Sequence, residues 1–570
     1  MKKRSYVFII LLFFFFLIIA TFLSFLYFSF AKPPSVKENS YLELNLSGEI
    51  QEITQPDFLQ FFISRTKALS MHDIWMNFHK AKKDSRIKGI VINLGYLVCD
   101  WGKINEIRES ILDFRKSGKK VYAYIGEALD FDKEYFLATA CDQIVLHPLG
   151  WLGINGIGGN IPFFKKTLDK LGIEAEFEHV EEYKTAYNMF TEKGFTPAHE
   201  EMMKSLYGNI YATYVNTIAE SRNKAETEIK SLIDHGFFQG EKALEAGLVD
   251  KVLYKDQFED LIKEGSDKTS KITHENYKEV RYSASGFHKG EQIALIYAMG
   301  PIHSGESSYQ TIGSSTYSTI IKKARKDKSI KAIILRVNSP GGSAMASDVI
   351  WRQMILAKKD KPVIVSMSDM AGSGGYWISM CAHKIVAHPQ TLTGSIGVLS
   401  GKFNLEKLYQ KIGVTSEKVI YGKRADIFSS FRGFTNEEKN LIKNEILWIY
   451  DRFITKVAES RDMTKDNVNK IGKGRVWTGA QAKKIGLIDE TGGLQLAIKL
   501  AKQQADIPEK ESIRLVVWPK KVSFLQTLLG KGQTLLSGKT NSKIVKTIRV
   551  FKLLEQNRMW ALMPLGIISQ

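Results

Sequence analysis

The sequence contains two copies of one pattern, and this duplication constrains the fold more than any other feature. The offset between matched segments stays between 239 and 243 residues. Each copy alternates apolar runs of strand length with helical patterns, which is typical of an α/β domain with a parallel sheet. The sequence therefore predicts two copies of one α/β domain. The clearest matched segments are 81–92 with 324–335, 135–148 with 376–389, and 219–222 with 458–461.

A serine lies in a glycine-rich turn of the second copy. The apolar run at 363–365 leads into Ala-Gly-Ser-Gly-Gly at 371–375, and a helix-compatible segment follows. Glycines on both sides of Ser373 tolerate positive φ and let a substrate backbone approach the hydroxyl. The amide of Gly374, near the start of the helix, would face an oxyanion. Ser373 is therefore a candidate nucleophile, and a flexible turn without chemistry is the alternative.

A second glycine turn precedes the first by about thirty residues. The apolar run at 333–337 ends in Asn-Ser-Pro-Gly-Gly-Ser at 338–343, and a helical pattern follows. If the two strands are parallel neighbours, both turns lie at one sheet edge, where open α/β sheets bind ligands. Gly341 or Gly342 would then supply a second oxyanion amide opposite the amide of Gly374.

The two copies differ where this chemistry is expected. At an offset of 241 residues, Ser373 aligns with Asp132 and Ser395 aligns with Ile154. The glycine turn at 338–342 aligns with Gly-Tyr-Leu-Val-Cys at 95–99. The first copy has therefore lost the nucleophile, and acyl transfer is expected only in the second copy.

Three motifs in the second copy resemble a known family. Asn-Ser-Pro-Gly-Gly-Ser, Ser-Gly-Gly-Tyr-Trp-Ile-Ser and Leu-Thr-Gly-Ser-Ile-Gly follow one another as in signal peptide peptidase A, or protease IV. The resemblance implies a tandem repeat of two Clp-protease/crotonase-like domains and a serine–lysine peptidase without metal or cofactor. It implies that Ser373 is the nucleophile and that Ser395 orients the lysine.

The residues alone do not decide which side chain is the general base. A Ser–His–Asp triad would use His383 or His388, but His388 has a counterpart, His147, in the copy without a nucleophile. His383 lies where the chain leads away from the sheet edge that carries the two glycine turns. A lysine serves only when it is neutral, which near pH 7 requires a pKa about 3 units below its usual value of about 10.4.

The resemblance assigns the base to the first copy. Glu-Tyr-Lys-Thr-Ala-Tyr at 182–187 resembles the lysine motif of the family and puts the base on Lys184. Lys423 aligns with Lys184 at an offset of 239 residues and is the alternative base, because single-domain members carry the lysine after the serine in one domain. The first copy would then be retained because it supplies the base.

The N-terminus predicts a membrane anchor. Residues 1–5 are basic, and 6–30 form an uncharged run of Phe, Leu and Ile. Such a run is long enough to cross a hydrocarbon core about 30 Å thick, whereas a secretory signal core usually has about 7–15 residues. We expect an uncleaved transmembrane helix, with cleavage after Ala31 as the alternative, and a linker at 31–40. The positive-inside rule then places the body of the protein outside the cytoplasm.

The remaining predictions concern domains, partners and function. The net charge of +19 comes without a nucleic-acid-binding motif, so a membrane surface or a lysine-rich surface is favoured over nucleic acid. The resemblance implies a single-pass protein of the bacterial inner membrane, a homo-oligomer such as a tetramer, and hydrophobic peptide substrates such as cleaved signal peptides. A crotonase-like acyl-CoA enzyme and a non-catalytic membrane scaffold are the alternatives. The predicted domains are 41–280, 281–505 and a basic amphipathic segment at 506–570.

Overall fold

The computed structural model describes most of the chain. Residues 12–18 and 21–22 are helical, and the rest of the predicted span at 6–30 lies outside the described residues. None of the helices in the described part is both long enough and apolar enough to span a bilayer. The described residues are 12–18, 21–22, 34–54, 69–126, 131–263, 269–280, 286–308, 310–520 and 560–563.

The first half of the described chain alternates strands and helices. Its strands are β1 Ser40–Gln51, β2 Leu69–Ser70, β3 Ile87–Val98, β4 Lys120–Ile125, β5 Gln143–Leu146, β6 Trp151–Gly153, β7 Glu174–His179, β8 Phe237–Gln239, β9 Lys251–Val252 and β10 Ser270–Thr273. Its helices are α1 Met71–Lys83, α2 Trp101–Arg115, α3 Asp132–Ala138, α4 Lys165–Leu171, α5 Asn188–Thr191, α6 Pro197–Arg222, α7 Glu226–His235, α8 Gly240–Glu245, α9 Lys255–Lys263 and α10 His274–Tyr277.

The second half follows the same alternation. Its strands are β11 Glu291–Met299, β12 Ile302–His303, β13 Ile312–Gly313, β14 Ile330–Ser339, β15 Gly341–Ser343, β16 Val363–Gly372, β17 Lys384–Ala387, β18 Leu392–Gly394, β19 Leu399–Asn404, β20 Val476–Thr478, β21 Glu490–Thr491, β22 Ile513–Trp518 and β23 Trp560–Leu562. Its helices are α11 Ser314–Lys326, α12 Ala344–Asp360, α13 Gly374–Ser379, α14 Glu406–Lys411, α15 Asn436–Arg461, α16 Lys465–Ile471, α17 Gly479–Lys484 and α18 Leu494–Gln504.

Each half contains a mainly parallel sheet, which confirms the predicted α/β class with two parallel-sheet domains. Strands β1, β3, β4, β5 and β9 pair in that order in the first sheet. Strands β11, β14, β16, β17 and β21 pair in the same order in the second. Their apolar side chains are buried on both faces, as expected for parallel strands covered by helices. Strand β22 completes the second sheet beside β11.

Corresponding residues make the same contacts in both halves. The hydroxyl of Tyr135 donates to the carbonyl of Leu248 at 2.8 Å, and that of Tyr376 donates to Leu487 at 2.9 Å. Helices α6 and α15 both have 26 residues. The repeat seen in the sequence is therefore a repeat of tertiary structure.

A third sheet joins the two halves. Strand β7 of the first half pairs antiparallel with β19 of the second, from Glu174 opposite Asn404 to His179 opposite Leu399. The chain after His179 therefore runs along the end of the second sheet, where β16 and β18 terminate. This pairing brings the first half to the edge where the glycine turns lie.

A buried network of charged residues also crosses between the halves. Arg336 of β14 donates to Glu52 at 3.0 Å and lies 2.9 Å from Glu106 of α2. Lys103 of α2 forms an ion pair with Asp369 of β16, and its amide donates to the same carboxylate at 2.8 Å. Burial alone would lower the pKa of Lys103, but the carboxylates of Asp369 and Glu52 raise it above its usual value. The network fixes helix α2 against β16, the strand that leads into Ser373.

Removing one partner of this network should destabilise the protein strongly. We expect Lys103→Met to lower the free energy of unfolding by about 3–5 kcal/mol, because it leaves the buried carboxylate of Asp369 without its cation. Lys204 is the control, because its ion pair with Glu200 is solvent-exposed, and Lys204→Met should cost about 1 kcal/mol or less. Urea denaturation of both variants measures the difference. Equal costs for the two substitutions would show that the buried pair contributes no more than a surface pair.

Candidate active site

Ser373 lies in a strained turn between β16 and α13. Its backbone has φ 56° and ψ −111°, a region that non-glycine residues rarely adopt and that costs about 1–3 kcal/mol. Its amide donates to the carbonyl of Gly394 at 2.8 Å, which fixes the turn against β18. The side chain is fully buried. The turn therefore holds the Ser373 hydroxyl in one place, at the end of the strand.

Lys184 of the first half reaches this hydroxyl. Its Nζ atom is 2.7 Å from Ser373 Oγ, 2.9 Å from the carbonyl oxygen of Ser395 and 3.1 Å from Ser395 Oγ. The structure thus brings the three side chains together within one chain, although Lys184 and Ser373 are 189 residues apart.

The surroundings of Lys184 disfavour its charge. The side chain is completely buried, and desolvation lowers the pKa of Lys184 well below its usual value of 10.5. Among the described residues, no carboxylate acts to raise the pKa of Lys184 against this effect of burial. A buried amine with only hydroxyl and carbonyl neighbours is held neutral more readily than one paired with an acid. Lys184 can therefore accept a proton from the hydroxyl 2.7 Å away.

The segment before β20 holds Lys184 and Ser395 in position. The carbonyl of Lys473 accepts from the amide of Tyr183 at 3.2 Å, and that of Arg475 accepts from the amide of Ser395 at 2.7 Å. Between them, Gly474 has φ 84° and lies so close that a Cβ atom there would be 2.5 Å from Lys184 Cα. Sequence reasoning missed Gly474, because its only signal is a Gly-Lys-Gly-Arg turn at 472–475 that resembles any surface turn.

The two glycine turns lie at the same edge of the second sheet. Ser339 pairs with Ala371 in the parallel register, and a Cβ on Gly375 would lie 2.7 Å from the Ser339 carbonyl. The amide of Gly341 donates to Ser339 Oγ at 3.1 Å. Gly374 lies in the first turn of α13, where amides have no acceptor within the helix. The amides named as oxyanion donors are therefore beside the nucleophile turn.

The backbone of the second turn requires glycine. Gly341 and Gly342 have φ 100° and 153°, in a region that favours glycine. A side chain on Gly342 would overlap the backbone of Ile302 in the neighbouring strand β12. Gly342 thus allows a close approach of two strands beside the turn that holds Ser373.

The other candidates lie elsewhere. Lys423 is exposed and forms an ion pair with Glu437 at 2.6 Å. His388 is buried with Nε2 3.1 Å from Glu106 in the charged network, and His383 accepts from the amide of Val363 at 3.0 Å. In the first half, Asp132 at the position of the serine accepts from Tyr214.

Comparison with known proteins gives a consistent picture. The model of Peptidase family S49 matches residues 113–268 and 355–508. The chain is 36% identical over 505 residues to the serine protease SPPA, chloroplastic, of Arabidopsis thaliana, covering 87% of this chain and 73% of that protein. It is 35% identical over 461 residues to Protease 4 of Salmonella typhi, covering 78% and 74% of the two chains. Both halves therefore match the same family.

One more relative and one solved structure also match parts of this chain. Protease 4 of Haemophilus influenzae is 32% identical over 484 residues, covering 81% of this chain and 78% of that protein. Among solved structures, a ClpP1 mutant from Listeria monocytogenes matches 36% of this chain and 94% of that chain at 16% identity. Its TM-score of 0.24 is too low to carry an argument about the fold.

Gly474 offers a test of how the lysine is positioned. We expect Gly474→Ala to reduce labelling of Ser373 by a fluorophosphonate about 100-fold, because the added methyl displaces Lys184 and a shift of about 1 Å has that effect. Gly422 is the control, since it also has positive φ but a Cβ added there would meet no heavy atom within 4 Å. Labelling rates of the two alanine variants, with circular dichroism to verify folding, make the comparison. Equal rates would contradict a positioning role for Gly474.

Proposed function

This chain belongs to peptidase family S49 and is a serine protease, and from that premise we propose that it is a membrane-anchored endopeptidase with a Ser373–Lys184 dyad. One observation carries the proposal. The amine of Lys184 lies 2.7 Å from the hydroxyl of Ser373, and both side chains are fully buried. The low pKa of Lys184 that burial produces supports its role as general base.

The proposed reaction proceeds through an acyl-enzyme. Ser373 Oγ attacks the peptide carbonyl carbon while neutral Lys184 takes the hydroxyl proton. The amide of Gly374 and that of Gly341 or Gly342 stabilise the oxyanion. Lys184 then protonates the leaving amine as the C–N bond breaks, and water hydrolyses the ester. Ser395 orients the lysine, a role supported by its two contacts to Nζ.

The substrates we propose are hydrophobic peptides, including signal peptides already cleaved from their proteins. The uncharged run at 6–30 would hold the enzyme at the inner membrane, with its body on the extracytoplasmic side. Anchoring there raises the local concentration of membrane-bound peptides without a specific contact. We also propose that the two halves are Clp-protease/crotonase-like domains. Several copies of the chain would assemble into a homo-oligomeric ring.

Substitution of the dyad tests the assignment of the base. We expect Ser373→Ala and Lys184→Met each to reduce kcat/KM on a hydrophobic fluorogenic peptide at least about 1000-fold. Lys423→Met should retain activity, because that lysine is exposed and paired with Glu437. Because both dyad residues belong to one chain, mixing the two inactive variants should restore nothing. If Lys423→Met lost activity instead, the general base would be Lys423 of the second copy.

The pH dependence tests the protonation state of Lys184. Only the neutral amine accepts the proton, so kcat/KM should rise with pH and reach its plateau well below pH 10.5. Between the start of this plateau and pH 10.5, the unfolded chain binds a proton at Lys184 that the folded protein does not, so stability should rise with pH over that range. At pH 7, Lys184→Met should therefore melt at a higher temperature than the parent protein. Two results together would mean that Lys184 is charged at pH 7. The parent would be at least as stable as Lys184→Met at that pH, and its activity would still rise above pH 10.

A further inference from the structure

A carboxylate of helix α6 contacts two segments that meet at the lysine. Glu201 accepts from the hydroxyl of Tyr183, the residue before Lys184. The same carboxylate forms an ion pair with Arg475 at 2.8 Å, and the carbonyl of Arg475 accepts from the amide of Ser395. Ser395 in turn contacts the Lys184 amine through its carbonyl and its hydroxyl. Glu201 therefore connects the segment that carries the lysine with the segment that supports Ser395.

The guanidinium of Arg475 lies over two aromatic rings. It is 4.9 Å from the ring centroid of Tyr183 and 4.5 Å from that of Trp477, and at such distances a cation is attracted to the face of a ring. Trp477 belongs to β20, which pairs antiparallel with β18. Strand β18 ends at Gly394, whose carbonyl accepts from the amide of Ser373. Arg475 thus links the lysine segment to the strand that fixes the nucleophile turn.

Helix α6 holds Glu201 in place beside this strand. The next residue, Met202, is buried, and its sulfur accepts from the amide of Val476 at 3.3 Å. The Glu201 side chain is 54% exposed. The hydrogen bond from Tyr183 is the main cause that lowers the pKa of Glu201 below its usual value, so the carboxylate is charged at neutral pH. Exposed ion pairs contribute little to the stability of a whole protein, and the contacts of Glu201 therefore act mainly on the segments they join.

The repeat does not preserve these three residues. At the offset of 239 residues, the aligned positions carry no phenol, carboxylate or guanidinium; they are Gly422, Asn440 and Gly236. Lys423, which aligns with Lys184, is exposed and paired with Glu437. Tyrosine, glutamate and arginine therefore occur together at the aligned positions only beside the lysine that reaches a serine.

We propose that Glu201 is a positioning residue that clamps the lysine segment to the segment before β20. The proposal rests on the proposed function, because it takes Lys184 as the general base. Without the carboxylate, Tyr183 and Arg475 lose their common partner, and the two segments separate. Water then reaches the Lys184 amine, so desolvation lowers its pKa less. The amine is also displaced from Ser373, and a displacement of about 1 Å costs up to about 100-fold in rate.

Glu201→Ala is the first test of the clamp. We expect it to lower kcat on a hydrophobic fluorogenic peptide about tenfold with KM unchanged, because it misplaces the base and leaves the oxyanion amides in place. Glu200→Ala is the matched control, since Glu200 is the neighbouring carboxylate on the same helix and is paired with Lys204. The control should keep the parent kcat. Equal kcat values for the two variants would overturn the proposal.

The pH profile distinguishes positioning from a merely structural role. In Glu201→Ala, the pH at which kcat/KM reaches half its plateau should rise by about one unit, because a hydrated Lys184 amine has a pKa closer to 10.5. Loss of stability alone would reduce the amount of folded enzyme and leave this pH unchanged. Glu201→Gln keeps an oxygen that accepts from both donors, so it should retain most of the kcat and the parent profile. An unchanged half-plateau pH in Glu201→Ala would contradict the clamp.

A double substitution tests whether Glu201 acts through the tyrosine. Tyr183→Phe removes only the hydroxyl and should lower kcat in the same direction as Glu201→Ala. The two changes together should cost little more than Glu201→Ala alone, because side chains that act in one network are not additive. If the two effects on kcat multiplied, Glu201 would not act through Tyr183, and the proposal would be wrong in this form.

The rate at which a fluorophosphonate labels Ser373 separates this proposal from the proposed function. Circular dichroism and melting temperatures verify that each variant is folded. If Lys184→Met abolishes labelling but Glu201→Ala is labelled at the parent rate, the clamp is wrong and the dyad stands. If Lys184→Met is itself labelled at the parent rate, Lys184 is not the base, and both the proposed function and the clamp fail.

Discussion

A lysine amine kept out of water beside a serine hydroxyl is the interaction on which the rest of the site depends. Its low pKa results from desolvation, and desolvation requires that protein surround the amine on all sides. Lys184 comes from the first half, whereas Ser373, Ser395 and Gly474 come from the second. The packing of the two halves therefore does more than stabilise the protein, because it creates the environment that lowers the pKa of Lys184.

The duplication explains how one chain can build such an environment. Both halves keep the contacts that define the fold, such as the tyrosine hydroxyl that donates to a leucine carbonyl in each. The position of Ser373 differs, because Asp132 stands there in the first half and accepts from the Tyr214 hydroxyl at 2.7 Å and from the Gly156 amide at 3.1 Å. A carboxylate satisfied in this way is a structural group. The first half is thus free to bury the site of the second half and to contribute Lys184 to it.

The sequence predicted the local structure of this protein better than its long-range contacts. The glycine turn around Ser373 and the repeat follow from residue spacing alone, since φ preferences and hydrophobic periodicity are local. Choosing between Lys184 and Lys423 required a resemblance, because burial decides the pKa of a lysine and spacing does not report burial. The buried pair of Lys103 and Asp369 had no signal, since charged residues 266 positions apart look like surface residues. The close approach of Gly474 to Lys184 likewise had no signal in the sequence.

Strand β23 covers the edges of two strands beside the candidate active site. A groove that binds peptides as strands must present unpaired backbone edges, and unpaired edges invite pairing with any extended chain. In this structure β23 lies between β15 and β19, so each of those edges is paired within the molecule. The pairing with β23 therefore protects both edges from pairing with another chain.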